Sequence, residues 1–223
     1  MFSEKQLLTL IELLAHKVKN PTHAMGLNLE VLRSKLTRSK LPDVAEYQRP
    51  LDLVSRELKR LNLIIQRFVE YMTPAGENRK KFNIKNLLAV LRANLEPYAQ
   101  TNQVNLEFLA PDESLQINVN QDEIRTALEH LVTNAIEAST SNQTVTITVS
   151  RQAAENVIKI TDTGTGISTD EGQKILGLCY TTKQDHVGMG LPLAKKLIEE
   201  NGGKIRMRTA AKKGTEVFVS FAS

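Results

Sequence analysis

Four short groups of residues in this sequence could do chemistry on a phosphate. His16 lies in Ala15-His16-Lys17-Val18-Lys19-Asn20-Pro21 and offers an imidazole, one of the side chains able to carry a transferred group. Asn134 lies in His130-Leu131-Val132-Thr133-Asn134-Ala135-Ile136-Glu137-Ala138, and its amide oxygen is a hard donor suited to a magnesium ion that also holds phosphates. Asp162-Thr163-Gly164-Thr165-Gly166-Ile167 combines a carboxylate that can accept from an exocyclic amine with glycines that let backbone approach a ligand. Gly188-Met189-Gly190-Leu191 leads into a helical pattern, and the free N–H groups of a helix start suit phosphate. Taken singly these are a surface histidine, a surface asparagine, a tight turn and a GxG. Their order, with a strand carrying Lys213-Gly214-Thr215 at the end, is what makes the set specific.

The elements that must position these groups fall into two halves. In residues 47–72, Leu51, Val54, Leu58, Leu61, Ile65, Phe68 and Met72 recur at alternating spacings of three and four, a heptad seam. A less regular stripe runs through 4–38 with Leu7, Ile11, Leu14, Val18, Met25, Leu29, Leu32 and Leu36. Pro42 and Asp43 break the two helices, with Asp43 a candidate N-cap. Two amphipathic helices cannot enclose a core, so a homodimeric four-helix bundle is expected. At roughly 100° per residue, position 16 lies about 200° from Leu14 and Val18 and should face water. Asn20, four residues on, shares that face, and Pro21 should bend the helix below it. His23 is a rival one heptad later, without comparable neighbours.

Thr73 to Asn78 reads as a turn-rich linker. Beyond it the pattern predicts strands at 104–110, 115–119, 145–150, 156–161, 204–209 and 215–221, and helices at 84–98, 122–139 and 189–201. The last helix should stop at Asn201-Gly202-Gly203. The expected fold class is α+β: a helical hairpin at 1–74, then an α/β sandwich with a mixed sheet and three helices at 75–223.

Composition narrows the function classes. The 223 residues are 41% hydrophobic and 24% charged, as in ordinary globular proteins. The net charge of +4 resides wholly in the first 74 residues, which suits an acidic partner or a plain solvated helical surface. Aromatic residues are only 4% and form no basic–aromatic cluster, so nucleic acid is not expected as a partner. Cys179 is the single cysteine, which excludes an intramolecular disulfide and fits a reducing, cytoplasmic compartment. No apolar run approaches the roughly 20 residues of a membrane span, and the N-terminus lacks the layout of a signal peptide.

With these groups in hand, nearly the whole sequence resembles the transmitter core of two-component sensor histidine kinases. His16 to Pro21 resembles the phosphoacceptor box, His130 to Ala138 the N box, Asp162 to Ile167 and Gly188 to Leu191 the two glycine boxes. Tyr180-Thr181-Thr182-Lys183 resembles the end of the F box, with Leu176, Cys179 and Tyr180 where phenylalanines are usual. The short lid and this ending are most similar to the nitrogen-regulatory type. The resemblance implies a dimeric hairpin domain and a Bergerat-type ATP-binding domain, with ATP and Mg²⁺ as cofactors. It implies that His16 takes the γ-phosphate, that Asn134 ligates Mg²⁺ and that Asp162 binds the adenine amine. Gly164, Gly166, Gly188 and Gly190 would shape the pocket and hinge a lid over 168–187. Thr182, Lys183, Leu191 and Thr215 complete the implied nucleotide site. Asn20 matches the position used to orient water when the partner is dephosphorylated, and that partner would be a response-regulator receiver domain.

Two departures bear on mechanism. The residue after the phosphoacceptor is usually acidic and takes the ring proton; Lys17 cannot do so at neutral pH. Its charge also disfavours imidazolium, which helps keep the ring neutral. The sequence therefore admits an active kinase or an autokinase-impaired phosphotransfer or phosphatase adaptor, although intact glycine boxes weigh against the adaptor. His130 stands where ATPases of the wider superfamily often carry a water-activating glutamate, which disfavours a chaperone- or topoisomerase-type ATPase.

Overall fold

The computed structural model describes residues 4–38, 44–73, 76, 78–111, 114–166, 188–209 and 214–223; within these, nothing is described of the side chains of 4–17, 21 and 44–47. Among the described residues the chain divides into two compact units at Thr73/Pro74. The first is a helical hairpin of α1 (Glu4–Arg38) and α2 (Val44–Met72). Two cross-links fix its direction. The Thr22 hydroxyl lies 2.5 Å from Asn62 Oδ1, and Arg33 pairs with Asp52 at 3.1 Å. Eleven residues forward on α1 are matched by ten residues back on α2, so the helices run antiparallel. The ion pair is half exposed and contributes little. Thr22 is only 6% exposed, and its hydroxyl also lies within 3.0 Å of the Val18 and Lys19 carbonyls. That site is a polar rivet in an otherwise apolar seam.

The hairpin does not close its own core. Leu51, Leu58, Ile65 and Met72 are half-buried, whereas Val54, Leu61 and Phe68 of the same heptad seam stay exposed, Phe68 at 44%. On α1, Val18, Met25 and Leu32 are exposed as well, Met25 at 55%. Val18 was expected in a buried seam and is not buried within the single chain. The reason is geometric: two helices present only one line of contact, and a stripe spanning more than that line remains open. Pro42 and the N-cap proposed for Asp43 lie outside the described residues, as does the side chain of Pro21.

The second unit is an α/β sandwich. β1 (Lys80–Asn83) pairs antiparallel with β3 (Gln116–Val119) in a two-stranded sheet. A five-stranded mixed sheet runs in the order β2 (Asn105–Leu109), β4 (Thr144–Gln152), β5 (Glu155–Asp162), β7 (Thr215–Ala222), β6 (Lys204–Thr209). Only β2 and β4 are parallel; the other pairs are antiparallel. Helices α3 (Ile84–Thr101), α4 (Gln121–Ala138) and α5 (Gly190–Glu200) contact this sheet. Strand alternation sends Val145, Ile147, Val149, Ile158, Ile160, Val217, Val219 and Phe221 inward, where all are buried. Leu87, Leu91, Ile124, Leu128, Leu131, Ile136 and Leu193 meet them from the helices. Each such side chain contributes about 1.5–3 kcal/mol.

Local chemistry sets the helix limits. Asn83 caps α3 by accepting from Lys85 N, and Asn120 caps α4 by accepting from Asp122 N and Glu123 N. Each cap contributes ~1 kcal/mol. Asp122 and Glu123 in the first turn of α4 complement its dipole. α5 stops where expected: Asn201 is buried, Gly202 has φ +79°, and Gly203 N donates to Ile198 O. β1 was not foreseen, because Lys80-Lys81-Phe82-Asn83 has a single apolar residue and no alternation to read.

Candidate nucleotide site and phosphoacceptor helix

Asp162 is the last residue of β5 and lies on the helix-facing side, in step with Ile158 and Ile160. It is 5% exposed. Its Oδ1 accepts from Gly164 N at 2.9 Å and from Thr215 N at 3.2 Å. Strand register brings Thr215 there, since Asp162 and Thr215 are partners across β5 and β7. Burial raises the carboxyl above the usual aspartate range, and the two amide donors hold part of that rise back. The carboxylate is thus clamped through one oxygen, and among the described residues no group donates to the other.

Two glycines make this clamp possible. A Cβ on Gly164 would come within 2.1 Å of the Ala138 carbonyl oxygen, and one on Gly214 within 2.0 Å of the Asp162 carbonyl oxygen. Gly214 also has φ +77°. The turn after β5 therefore rests on the last residue of α4, and Thr165 N donates to that same Ala138 carbonyl at 3.2 Å. Gln143 braces the turn from the other side, donating to Thr163 O at 2.9 Å while accepting from Thr140 N at 2.7 Å. Ala138 and Gln143 were not singled out in the sequence. The only hint was the small residue closing the asparagine motif.

Asn134 is half-buried on α4, whose apolar stripe of Leu128, Leu131, Val132, Ala135 and Ile136 is buried as the pattern required. A Cβ on Gly190 would come 4.0 Å from Asn134 Nδ2 and 3.5 Å from His130 Nδ1. The asparagine motif and the second glycine box therefore meet at the start of α5. Met189, at the N-cap of α5, is buried and supplies no side-chain cap, so the first-turn amides depend on other partners. Leu191 is half-buried in the first turn of α5, and the Thr215 hydroxyl contacts that of Thr209 at 3.2 Å. Gly166 and Gly188 have φ +62° and +69° and bound the segment 167–187. That segment, with Leu176, Cys179, Tyr180, Thr182 and Lys183, lies outside the described residues, as does Lys213.

The residues present suit a nucleotide-borne magnesium ion. Asn134 offers a hard amide donor, and the bare Gly190 leaves open the gap that a side chain would fill. Among the described residues no cluster of three His, Cys, Asp or Glu could hold a metal alone. Phosphate oxygens and water would have to supply the other ligands, which is how magnesium is usually held.

His16 and Lys17 lie within α1, with their side chains outside the description; Asn20 and His23 are exposed on the same helix. No helix among the described residues is long and apolar enough to cross a membrane.

A two-layer sandwich with an aspartate clamp, an asparagine helix and a glycine-led helix defines a nucleotide-binding class. Residues 119–222 match the family described as histidine kinase-, DNA gyrase B- and HSP90-like ATPase. The sensor histidine kinase ZraS of Salmonella typhi is 27% identical over 90% of this chain and 42% of its own length. The catalytic domain of histidine kinase ThkA is 25% identical with a TM-score of 0.59, covering 65% of this chain and 95% of that one. ThkA crystallised with the response regulator protein TrrA covers 99% of this chain and 64% of that one, with a TM-score of 0.67 and 20% identity. Residues 119–222 thus match an ATPase-family domain of that description, and over most of its length the chain is similar to sensor histidine kinases. It spans 42% of the length of ZraS and 46% of that of sporulation kinase C of Bacillus subtilis.

Proposed function

We propose that this chain binds ATP with Mg²⁺ in the α/β unit, transfers the γ-phosphoryl group to His16, and passes it to an aspartate of a response-regulator receiver domain. The observation that supports it best is that α4 links two glycine-lined places: its last residue, Ala138, seats the Asp162 turn at Gly164, and Asn134, one turn earlier, faces Gly190 at the start of α5. Asp162 has an oxygen left to accept the adenine amine while the other is held by Gly164 and Thr215. The uncapped amides of α5 suit the phosphates. Asn134 would hold the magnesium ion, which spreads the charge of the transferring group. Thr182, Lys183, Leu191 and Thr215 would complete the nucleotide site, with Gly166 and Gly188 as hinges of the lid over 168–187.

Residues 1–74 would form the dimerisation and phosphoacceptor domain, and 75–223 the catalytic domain. The exposed seam residues Val18, Met25, Leu32, Val54, Leu61 and Phe68 support a homodimeric four-helix bundle, since a second hairpin would cover them. The ThkA–TrrA complex supports a response regulator as the partner. Asn20, which is exposed four residues along α1 from His16, would orient water for dephosphorylation of that partner.

In the transfer, the His16 nitrogen attacks the γ-phosphorus, the bond to the β–γ bridging oxygen breaks, and ADP leaves. The attacking ring must be neutral. Lys17 cannot take its other proton, which would pass to water instead, so this chain would transfer more slowly than a homologue with an acid there. The full chain incubated with γ-labelled ATP and Mg²⁺ should acquire an acid-labile, base-stable label that His16→Gln abolishes. Full labelling of His16→Gln, or no nucleotide binding by the wild type, would sink the reading.

A further inference from the structure

His130 has no part in that scheme, yet it faces the same bare glycine as Asn134. It is half-buried and lies four residues before Asn134 on α4, so the two side chains share a helix face. Both turn toward Gly190. The distances from a Cβ built there are 3.5 Å to His130 Nδ1, 3.8 Å to Cγ and 4.0 Å to Asn134 Nδ2. An imidazole and an amide thus flank one bare glycine at the start of a helix that lacks a side-chain cap. The seating is rigid, because α4 buries Leu131 and Ala135 beside these groups and α5 buries Leu193 and Ala194.

We infer that His130 sets the metal preference of this site: its imidazole joins Asn134 in holding the divalent ion carried by the nucleotide, and shifts the site toward Mn²⁺ and Co²⁺ relative to Mg²⁺. The inference rests on the nucleotide-binding reading above. An amide oxygen is a hard donor that suits Mg²⁺, whereas imidazole nitrogen is softer and suits first-row transition ions. Replacing an oxygen donor by nitrogen penalises Mg²⁺ most, since it takes oxygen ligands in near-ideal octahedra. Most protein sites favour Co²⁺ over Mg²⁺ to some degree, so the residue's contribution is the change in that ratio when His130 is replaced.

The test uses the full chain and the methylene analogue AMPPCP, which is not transferred and has no bridging nitrogen. Its affinity is measured by calorimetry with saturating Mg²⁺, Mn²⁺ or Co²⁺, for wild type, His130→Asn and His130→Gln. The Co²⁺-to-Mg²⁺ affinity ratio should fall roughly 10-fold in both variants, the lower end of effects seen when a group around a bound metal is changed. Pulsed electron paramagnetic resonance of the Mn²⁺·AMPPCP complex reports the contact directly. Wild-type protein should show nitrogen modulation that changes when histidine is ¹⁵N-labelled, and His130→Asn should lack it. An unchanged ratio in both variants, or no histidine modulation in the wild type, overturns the inference while leaving nucleotide binding intact. Absence of AMPPCP binding with every metal overturns the nucleotide reading and this inference together. Circular dichroism of the variants guards against misfolding, and a wild-type spectrum without histidine modulation overturns the inference even if both variants fail to fold.

Discussion

The hairpin and the sandwich solve the burial problem in opposite ways. The sandwich seals Ile147, Ile158, Leu128, Leu131 and Ile136 to 2% exposure or less, and it can hold a carboxylate such as Asp162 in place with two backbone amides. The hairpin leaves Met25, Leu32, Val54 and Phe68 open along its length, with the Thr22–Asn62 contact as its buried polar tie. A layered fold surrounds a side chain from several elements, whereas two helices touch along one line. Rigid recognition is therefore expected in the sandwich, and completion by a second copy in the hairpin.

The sharpest way to break this contrast is to remove the phosphoacceptor. His16→Gln should eliminate acid-labile labelling, more than ~10³-fold, while nucleotide affinity measured by calorimetry stays within about twofold, if chemistry and binding reside in separate units. Lys17→Glu should raise the single-turnover labelling rate by up to roughly 10²-fold without changing nucleotide affinity, within the range assigned to a general base. An unchanged rate would show that the acid is dispensable here. Next comes the clamp: Asp162→Asn keeps an acceptor for Gly164 N and Thr215 N but turns an NH₂ group toward the adenine amine. Nucleotide affinity should drop about 10–100-fold with the melting temperature unchanged or raised, since a charged-group hydrogen bond is worth roughly 1.5–3 kcal/mol. A lowered melting temperature would make Asp162 a structural residue instead. For the hairpin, Phe68→Asp should convert a dimer to monomer in sedimentation equilibrium at micromolar concentration, and leave nucleotide binding intact. Retention of the dimer would place the seam elsewhere.

The smallest effect concerns pH. Burial raises the Asp162 carboxyl above its unfolded value of 3.8. The ionised group therefore costs the empty protein stability at neutral pH, and this cost is relieved as pH falls through the raised value. Nucleotide affinity should change in the other direction, weakening on acidification at a pH above the ordinary aspartate range. A binding profile flat down to pH 4, or one lost equally in Asp162→Asn, would assign the titration to another group.

Periodicity carried most of the fold. The strands and helices of the sandwich appear within one to three residues of where alternation and the 3.6-residue period place them. The pattern placed the end of α3 at residue 98, but the helix continues through Pro97 to Thr101. β1 escaped because Lys80 and Lys81 carry no pattern; its strand character comes from pairing with β3. In the site, Asp162, Asn134 and the glycines were legible because their residue types are restricted by chemistry or by backbone geometry. Ala138 and Gln143 were not, since they act through a carbonyl and an amide that any position could supply.

By itself the sequence determined which residues could carry phosphate chemistry, where the periodicity changes from helical to mixed, and that two amphipathic helices cannot enclose a core alone. Only the tertiary structure decided which of those residues meet. The pairing of β5 with β7 puts the Thr215 amide on Asp162, the close approach of the turn to Ala138 explains Gly164, and the packing of α4 beside α5 sets His130 and Asn134 around Gly190. These contacts join residues 26 to 60 positions apart. Spacing along a chain specifies only neighbours within a turn or a strand pair, and distant groups are brought together by the burial of the faces between them.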